Sequence, residues 1–430
     1  MTHTRAPEAA RWAAPSATGP IRATVDLPGS KSMTARALLL SAATTGTSGI
    51  DGGLAARDTA LMAAGLRALG IDVDDDARVW SVTGRPLRGP AHVDCGLAGT
   101  VMRFLPSLAA TARGSVSFDG DPHARTRPMG PLLRALTALG VTVEAESASL
   151  PFTLYGSGRV TGGEVTVDAS SSSQLVSGLL LSAPRFDRGI VVRHSGPPVP
   201  SAPHIRMTVD MLRAAGAHVD DADRNVWRVE PGELTARQWT IEPDLSNAAP
   251  FLAGAVITGG TVTVPGWPHT TSQPGDALRE LFTGLGADVR RDQDGLTVTG
   301  TGRVTGIDAD LSEVGELTPV VAAVCAVADS PSRLRGIGHL RGHETDRIAA
   351  LATELGKLGT HVTEETDGLT ITPRPLRGTV VETYADHRMA QAAAVIGLAV
   401  PDVELSDVAC TSKTLPEFPE LWTRMLGTGH

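Results

Sequence analysis

The sequence predicts an α/β protein built from repeated copies of one folding unit. A helical pattern that ends at a glycine, followed by an alternating strand, a polar turn and a second strand, recurs five times in 430 residues. The glycines that end these helices are spaced 70, 76, 70 and 73 residues apart, at Gly70, Gly140, Gly216, Gly286 and Gly359. Glycine adopts the left-handed conformation that ends a helix at little cost, so each of these glycines is predicted to be a helix stop.

The other half of each unit is a helix of small residues that follows a polar or glycine-rich turn. Six such turns occur, at residues 30–32, 97–100, 170–173, 244–246, 315–316 and 386. Ser, Thr and Asp in these turns are predicted to cap the exposed amides of the helices. A sixth copy is expected to end in a helix over residues 415–426. Six units of roughly 70 residues fill nearly the whole chain, which favours two domains of three units each.

Four stretches of Ala, Gly, Leu and Val are apolar on all sides of a helix. They are residues 37–43, 251–257, 319–328 and 390–400. A helix without a polar face is predicted to lie in the interior of its domain.

Composition narrows the classes of partner. A net charge of −9 argues against a general surface for nucleic acid or anionic membranes, so a bound anion needs a local cluster of cations. Three cysteines without metal-ligand spacing fit a reducing compartment. Residues 1–19 contain no apolar stretch of signal-peptide length, which predicts a frayed N-terminus and a cytoplasmic protein without a membrane segment.

The lysines indicate anion chemistry. Only three lysines occur among 38 basic residues, and two of them, Lys31 and Lys413, are flanked by hydroxyl residues. A compact ammonium suits phosphate binding and proton transfer, whereas the alternative is a pair of solvated turn residues. The segment around Lys31 lacks the glycine spacing of a nucleotide-binding loop, so nucleoside triphosphate hydrolysis is not predicted.

Arginines at predicted helix starts support the same interpretation. Four occur in or near a first turn, at Arg36, Arg103, Arg347 and Arg388. Each opposes the positive end of the helix dipole, at about 0.3 to 1 kcal/mol when exposed. Nearby carboxylates, Asp346 and Asp386, could offset this cost, but four cases together with Arg127 favour bound anions. The ligand is therefore expected to carry several negative charges.

Seven motifs in order resemble the EPSP synthase family of 3-phosphoshikimate 1-carboxyvinyltransferases, in an actinobacterial-like form. They are LPGSKSMTARALLL (27–40), LAGTVMRFLP (97–106), RTRPMGPLL (125–133), SSSSQLVSGLLLSAP (170–184), HLRGHETDRI (339–348), YADHRMA (384–390) and TSKTLPEFP (411–419). The resemblance, from about residue 21 to 426, implies the enolpyruvyl transferase fold, a two-domain inverse α/β barrel of six βαβαββ repeats with three per domain. It implies an N-terminal domain of residues 31–244 on the shikimate 3-phosphate side and a C-terminal domain of residues 1–30 plus 245–430 on the phosphoenolpyruvate side. The cleft between them is the expected active site.

The implied reaction transfers the enolpyruvyl group of phosphoenolpyruvate to the 5-hydroxyl of shikimate 3-phosphate and releases phosphate, in aromatic amino-acid biosynthesis. By resemblance, shikimate 3-phosphate is bound by Ser32, Arg36, Ser172, Ser173, Gln174 and Ser201. Phosphoenolpyruvate is bound by Lys31, Gly99, Arg127, Gln174, Arg347, Arg388 and Lys413. Thr100, Glu316, His339 and His343 complete the expected substrate-binding set. Glu316 resembles the proton acceptor and Glu344 the proton donor, with Lys31 as a third catalytic residue. No metal or organic cofactor, no nucleic acid and no membrane is implied, and a monomer is expected.

Some positions depart from the common pattern of the family. His343 stands where many relatives have lysine, His339 and Leu97 where many have asparagine, and Glu316 where aspartate is commoner. Gly99 resembles the small residue of enzymes that glyphosate inhibits, so glyphosate is expected to compete with phosphoenolpyruvate.

Two other functions fit parts of the pattern. UDP-N-acetylglucosamine enolpyruvyl transferases share the fold, but they normally carry a cysteine in the loop that corresponds to residues 120–123, and none lies there. A catalytically inactive binding protein of this fold is expected to have lost charged site residues, yet Lys31, Arg127, Glu344 and Lys413 are present.

Overall fold

The computed structural model describes residues 11–427, so residues 1–10 of the predicted frayed N-terminus lie outside the described residues. The prediction is wrong for the rest of that segment, because Trp12–Ala13 pairs with Glu404–Leu405 and the Ala14 N–H donates to the Val403 carbonyl at 2.9 Å. The chain forms two compact units. The N-unit consists of Pro28–Asp244 and Thr270–Pro274. The C-unit consists of the chain up to Leu27, Leu245–His269, and the chain from Gly275 onward.

The strands are short and form small sheets. In chain order they are β1 (Trp12–Ala13), β2 (Arg22–Thr24), β3 (Thr47–Asp51), β4 (Asp72–Asp74), β5 (Val79–Thr83), β6 (Ala91–Asp94), β7 (Arg113–Asp119), β8 (Thr142–Ala145), β9 (Phe152–Ser157), β10 (Gly163–Val167), β11 (Ile190–His194), β12 (Val219–Asp220), β13 (Val226–Val229), β14 (Gln238–Thr240), β15 (Thr261–Val264), β16 (Asp288–Asp292), β17 (Gly295–Thr299), β18 (Asp308–Asp310), β19 (Ser332–Arg335), β20 (His361–Glu365), β21 (Gly368–Thr372), β22 (Val380–Val381) and β23 (Glu404–Leu405).

The α-helices alternate with these strands along the chain. They are α1 (Lys31–Ala42), α2 (Arg57–Ala68), α3 (Gly99–Ala109), α4 (Gly130–Ala138), α5 (Gln174–Ser182), α6 (Pro203–Ala214), α7 (Leu245–Thr258), α8 (Leu278–Gly284), α9 (Thr318–Ala326), α10 (Arg347–Leu358), α11 (His387–Gly397) and α12 (Phe418–Met425). None of the helices within residues 11–427 has both the length and the apolar character needed to cross a bilayer.

The sheets share one strand order. In the N-unit the orders are β14-β3-β5-β4, β6-β7-β9-β8 and β10-β11-β13-β12. In the C-unit they are β2-β15-β17-β16, β18-β19-β21-β20 and the shorter β22-β23-β1. The first pair of strands in each order is parallel and the remaining pairs are antiparallel. A helical crossover followed by a second helix and a hairpin produces this order, and the predicted α/β class is confirmed.

Two first strands are exchanged relative to their positions in the chain. Strand β2 precedes α1 but pairs with β15 of the C-unit, with Ala23 opposite Val262. Strand β14 pairs instead with β3 of the N-unit, with Trp239 opposite Ile50. The chain therefore leaves and re-enters the C-unit after residues 27 and 244.

The helices of small residues form the interior of each unit. In the N-unit α1, α3 and α5 pack against one another, and in the C-unit α7, α9 and α11 do so. Every residue of α3, α9 and α11 is buried. The prediction that helices without a polar face lie inside their domains is confirmed.

The predicted helix stops are also confirmed. The five glycines have φ angles between 93° and 115°, the left-handed region that glycine adopts readily: Gly70, Gly140, Gly216, Gly286 and Gly359. The helix starts agree less well. Ser30 and Asp386 accept hydrogen bonds from helix amides, but α3 begins after Ala98 and the Ser173 hydroxyl does not cap α5. At α5 the hydroxyl that accepts from the first helix amide is that of Ser172, one residue earlier, whereas α3 starts without a side-chain cap.

Candidate active site

Lys31 is the first residue of α1 and is held at both its backbone and its side chain. Its N–H donates to Asp244 Oδ2 at 3.0 Å, and its Nζ donates to Asp58 Oδ2 at 3.3 Å. Asp58 lies at the start of α2 and is only 2% exposed, so the pair fixes the ammonium at the start of α1. Asp58 was not predicted from the sequence, because its contact with Lys31 is tertiary.

Arg36 is a buried cation bonded only to neutral groups. It is 1% exposed, and its guanidinium donates to Thr208 Oγ1 at 2.8 Å, the Ser32 carbonyl at 2.8 Å and the His204 carbonyl at 2.9 Å. The guanidinium also lies 5.0 Å from the centre of the Phe104 ring. Burial lowers the pKa of Arg36 to about 9, so it remains charged at neutral pH. Among the described residues no carboxylate pairs with it, and a bound anion would supply the missing negative charge.

A second cationic cluster surrounds Gly99 at the start of α3. A Cβ at Gly99 would lie 3.0 Å from Gln174 Oε1, 3.2 Å from Arg103 Nη1 and 3.3 Å from Arg127 Nη1. Gln174 Oε1 accepts from Arg103 Nη1 at 2.9 Å. The absence of a side chain at Gly99 therefore leaves room beside two guanidinium groups and one amide.

Arg127 and Thr100 keep unused hydrogen-bonding capacity in this cluster. Arg127 Nη1 donates to the Leu97 carbonyl at 3.4 Å, while its buried Nε has no hydrogen-bond partner within residues 11–427. The same holds, over that range, for the buried Thr100 Oγ1. Buried donors are normally satisfied, so these atoms indicate a binding position for a polar ligand.

Three of the predicted serines lie on turns of the N-unit, and Ser32 is the second residue of α1. Ser172 Oγ accepts from the Gln174 N–H at 3.3 Å, and Ser173 directly precedes α5. Ser201 has a φ angle of 52°, a conformation that is costly for a residue with a Cβ, and lies just before α6. Ser32 contacts Arg36 through its carbonyl oxygen.

In the C-unit, Arg347 is the centre of a buried network of charges. It is 2% exposed, and it donates from Nε to Asp386 Oδ2 at 2.8 Å and from Nη2 to Glu344 Oε2 at 3.1 Å. Lys413 Nζ donates to the other oxygen of Glu344. Burial alone lowers the pKa of Arg347, but the charges of Asp386 and Glu344 outweigh burial and raise it. Three predicted residues, Glu344, Arg347 and Lys413, are thus in direct contact.

The two histidines lie next to this network. His343 Nδ1 is 3.2 Å from Arg347 Nη1, and because a guanidinium can only donate, Nδ1 is the acceptor in this hydrogen bond. The His339 ring meets the His343 ring edge-on, with centroids 5.6 Å apart. Burial lowers the pKa of His339 in spite of the nearby Glu316 and Asp367 carboxylates. His339 Nε2 is buried with no hydrogen-bond partner in the part of the chain that the structure describes.

Glu316 and Arg388 complete the predicted set. Glu316 lies in a short 3₁₀ helix, Gly315–Leu317, so α9 begins at Thr318, one residue later than a helix directly after the predicted turn 315–316. Arg388 Nη1 donates to the Ser246 carbonyl at 2.9 Å and to Gln391 Oε1 at 3.0 Å, and its N–H donates to Asp386 Oδ1. Asp386 therefore links Arg347 and Arg388.

Comparisons with known proteins assign the family. The family model for EPSP synthase (3-phosphoshikimate 1-carboxyvinyltransferase) matches residues 15–422. Two structures of EPSP synthase from Acinetobacter baumannii are similar to this chain. The first has a TM-score of 0.81 at 23% sequence identity, and the match covers 96% of this chain and 98% of that structure's chain. The second has a TM-score of 0.80 at 22% sequence identity, and the match covers 97% of this chain and 98% of that structure's chain. The enolpyruvyl transferase NikO from Streptomyces tendae has a TM-score of 0.75 at 18% identity, covering 95% of this chain and 96% of its own. These likenesses confirm the predicted fold, and the match of the family model over nearly the whole chain shows that it belongs to the EPSP synthase family.

Proposed function

We propose that the two clusters described above bind the substrates of this family's reaction, the transfer of the enolpyruvyl group of phosphoenolpyruvate to the 5-hydroxyl of shikimate 3-phosphate. Residues 31–244 are assigned to shikimate 3-phosphate, and residues 1–30 plus 245–430 to phosphoenolpyruvate. Lys31, Gly99 and Arg127 are assigned to phosphoenolpyruvate as well.

The proposal rests on the surroundings of two buried cations, Arg36 and Arg127. Both side chains are buried, and neither is paired with a carboxylate among the described residues. An unpaired buried cation is costly for a fold, and a phosphate or carboxylate ligand would offset that cost. Both substrates of the family's reaction carry these groups.

The reaction needs one proton donor and one proton acceptor. The methylene carbon of phosphoenolpyruvate gains a proton and becomes a methyl group, while the 5-hydroxyl loses one and attacks the adjacent carbon. The tetrahedral intermediate then expels phosphate and loses a proton from the methyl group, which restores the carbon–carbon double bond. We assign the donor role to Glu344 and the acceptor role to Glu316. Lys413 and Arg347 hold the Glu344 carboxylate in the ligand-free protein, and anionic groups of phosphoenolpyruvate would compete for these cations. Lys31 would neutralise charge on the transferred group.

Phosphate release tests this function directly. The protein is incubated with phosphoenolpyruvate alone, with added shikimate 3-phosphate, and with added UDP-N-acetylglucosamine. We expect stoichiometric release only with shikimate 3-phosphate. Release with the nucleotide sugar, or no release with either acceptor, would overturn the assignment.

Inhibition, assembly and location are further parts of the proposal. Glyphosate should compete with phosphoenolpyruvate, because both present anionic groups to the space beside Gly99. A monomer in the cytoplasm is proposed, and the free thiols of Cys95, Cys325 and Cys410 fit a reducing compartment. Sedimentation at working concentration tests the monomer.

A further inference from the structure

The turn before α11 has a backbone conformation that its residues do not favour. We call residues 382–386 the Tyr384 turn. Tyr384 has a φ angle of 55° and Ala385 has one of 53°, and both carry a Cβ. Two consecutive left-handed residues other than glycine persist only where the surroundings hold them in place.

A buried carboxylate of α10 holds this turn. Glu354 is 3% exposed, and its Oε1 accepts from Tyr384 Oη at 2.7 Å. Its Oε2 accepts from the Glu382 N–H at 3.0 Å and from Lys357 Nζ at 2.5 Å. Partial burial and the Glu354 carboxylate raise the pKa of Tyr384 to about 12, so its hydroxyl remains a donor at physiological pH.

The Tyr384 turn ends at Asp386, which accepts hydrogen bonds from both Arg347 and Arg388. Asp386 accepts from Arg347 Nε and Nη2 at 2.8 and 3.1 Å, and from the Arg388 N–H at 2.9 Å. Arg347 and Glu354 are seven residues apart on α10, hence on one face of the helix. The Tyr384 turn is therefore attached to α10 at both of its ends, once through Glu354 and once through Arg347.

We propose that Tyr384 and Glu354 are positioning residues that hold the Tyr384 turn and thereby orient Arg347 and Arg388 for phosphoenolpyruvate. The inference rests on the proposed function, which assigns both arginines to that substrate. Neither Tyr384 nor Glu354 is placed in contact with substrate. Tyr384 and Glu354 act on the two arginines indirectly, through the position of Asp386.

The test is Tyr384→Phe, which removes the hydroxyl and keeps the ring. We expect KM for phosphoenolpyruvate to rise about tenfold or more, the size of effect expected when a hydrogen bond to a charged group is lost. KM for shikimate 3-phosphate and kcat should stay within about twofold, because the turn orients groups for the other substrate. The matched control is Tyr155→Phe: Tyr155 is the other of the chain's two tyrosines, and its hydroxyl donates to Glu144 on the exposed surface of the N-unit.

Glycine at position 385 provides the rescue. In Tyr384→Phe the turn keeps its left-handed backbone but loses a hydrogen bond that holds it. Because glycine adopts positive φ readily, Ala385→Gly should lower the cost of that backbone conformation. We expect the double variant Tyr384→Phe/Ala385→Gly to recover most of the affinity for phosphoenolpyruvate. A merely structural defect elsewhere would not respond to this change.

Hydrogen exchange separates this inference from the proposed function. The Glu382 and Arg388 amides should exchange faster in Tyr384→Phe than in Tyr155→Phe, whichever substrate the protein uses. An unchanged KM for phosphoenolpyruvate in a native protein that does transfer the enolpyruvyl group would overturn the inference. So would equal losses for both substrates, or unchanged exchange. Failure of the native protein to transfer the group would instead overturn the proposed function.

Discussion

Buried cations in this protein differ by the groups around them. Arg347 is surrounded by Asp386 and Glu344, so its charge is balanced within the C-unit. Arg36 has a ring, a hydroxyl and two carbonyls as neighbours. The charge of Arg347 is thus balanced by protein groups, whereas that of Arg36 would be balanced by the anion that we propose binds there.

At Gly99 we predict that a single methyl group reduces ligand binding. The Cβ of Gly99→Ala would lie 3.0 Å from Gln174 Oε1 and 3.3 Å from Arg127 Nη1, in the space beside these groups. KM for phosphoenolpyruvate and the inhibition constant of glyphosate should each rise about tenfold or more, since overpacking typically costs 1–3 kcal/mol. Steady-state kinetics with varied glyphosate measures both.

Gly232→Ala is the matched control for that experiment. Gly232 is exposed and has no atoms within 4 Å of the added Cβ, so its constants should equal those of the native protein. Unchanged glyphosate inhibition in Gly99→Ala would show that the inhibitor does not occupy this space.

At His339 we predict a pH dependence of stability. Burial lowers the pKa of His339 in the folded protein below its ordinary value of 6.5. Below pH 6.5 the unfolded chain therefore binds a proton that the folded chain does not, and stability falls until the pH reaches the lowered pKa. His339→Asn removes this difference. Its free energy of unfolding should drop less than that of the native protein between pH 7.5 and 5.5, as followed by urea denaturation, and identical drops would contradict the assignment.

Among the elements, the five helix stops show where local sequence determines structure. Each glycine follows a stretch of sequence with a helical pattern of apolar residues. Each has the positive φ angle that is expected of a glycine just after the end of a helix. At Gly70 a Cβ would meet no atom within 4 Å, so only the backbone conformation opposes substitution. A stop of this kind can therefore be predicted from a few neighbouring residues.

Two glycine substitutions should change stability in opposite directions. Gly70→Ala places alanine at a φ angle of 93° and should lower the free energy of unfolding by about 1 kcal/mol or more. Gly356→Ala lies in exposed helical backbone of α10 with no atom near the new Cβ, and should raise it by about 0.5 to 1 kcal/mol. Urea midpoints measure both, and a shift of the same sign in the two variants would contradict this account.

Helix starts were less predictable than helix ends. Ser30 and Asp386 cap their helices as expected, whereas α3 starts after Ala98 without a side-chain cap. Every residue of α3 is buried, so tertiary packing fixes its first turn and the local cap signal is missing. The Tyr384 turn was likewise unpredictable, because Tyr and Ala give no local signal for left-handed backbone.

Over the whole molecule, the pattern of the sequence predicted the repeat but not the exchange of first strands between repeats. Both β2 and β14 could pair as the first strand of the same repeat, and the periodicity does not tell that β2 joins β15 while β14 joins β3. The predicted crossings between the domains came from the resemblance to the EPSP synthase family and not from the periodicity. Sheet partners are chosen by long-range packing, which a single sequence does not display.

The same limit applies to the candidate site. Motifs identified Lys31, Glu344, Arg347 and Lys413, and the last three are in contact although Glu344 and Lys413 are 69 residues apart. Their partners from outside the motifs were missed. Asp58 is 27 residues from Lys31, and no spacing rule connects them.

We expect Arg36 to serve ligand binding rather than the stability of the fold. Methionine in Arg36→Met fills a similar volume without charge, and replacing an unpaired buried cation with an apolar side chain is typically neutral or stabilising. The most direct measurement combines urea denaturation of the ligand-free protein with calorimetric titration of shikimate 3-phosphate, for the native protein and for Arg36→Met. We predict a free energy of unfolding within about 1 kcal/mol of the native value or above it, together with a loss of affinity of about a hundredfold or more. A strongly destabilised variant that still binds shikimate 3-phosphate with native affinity would contradict the account.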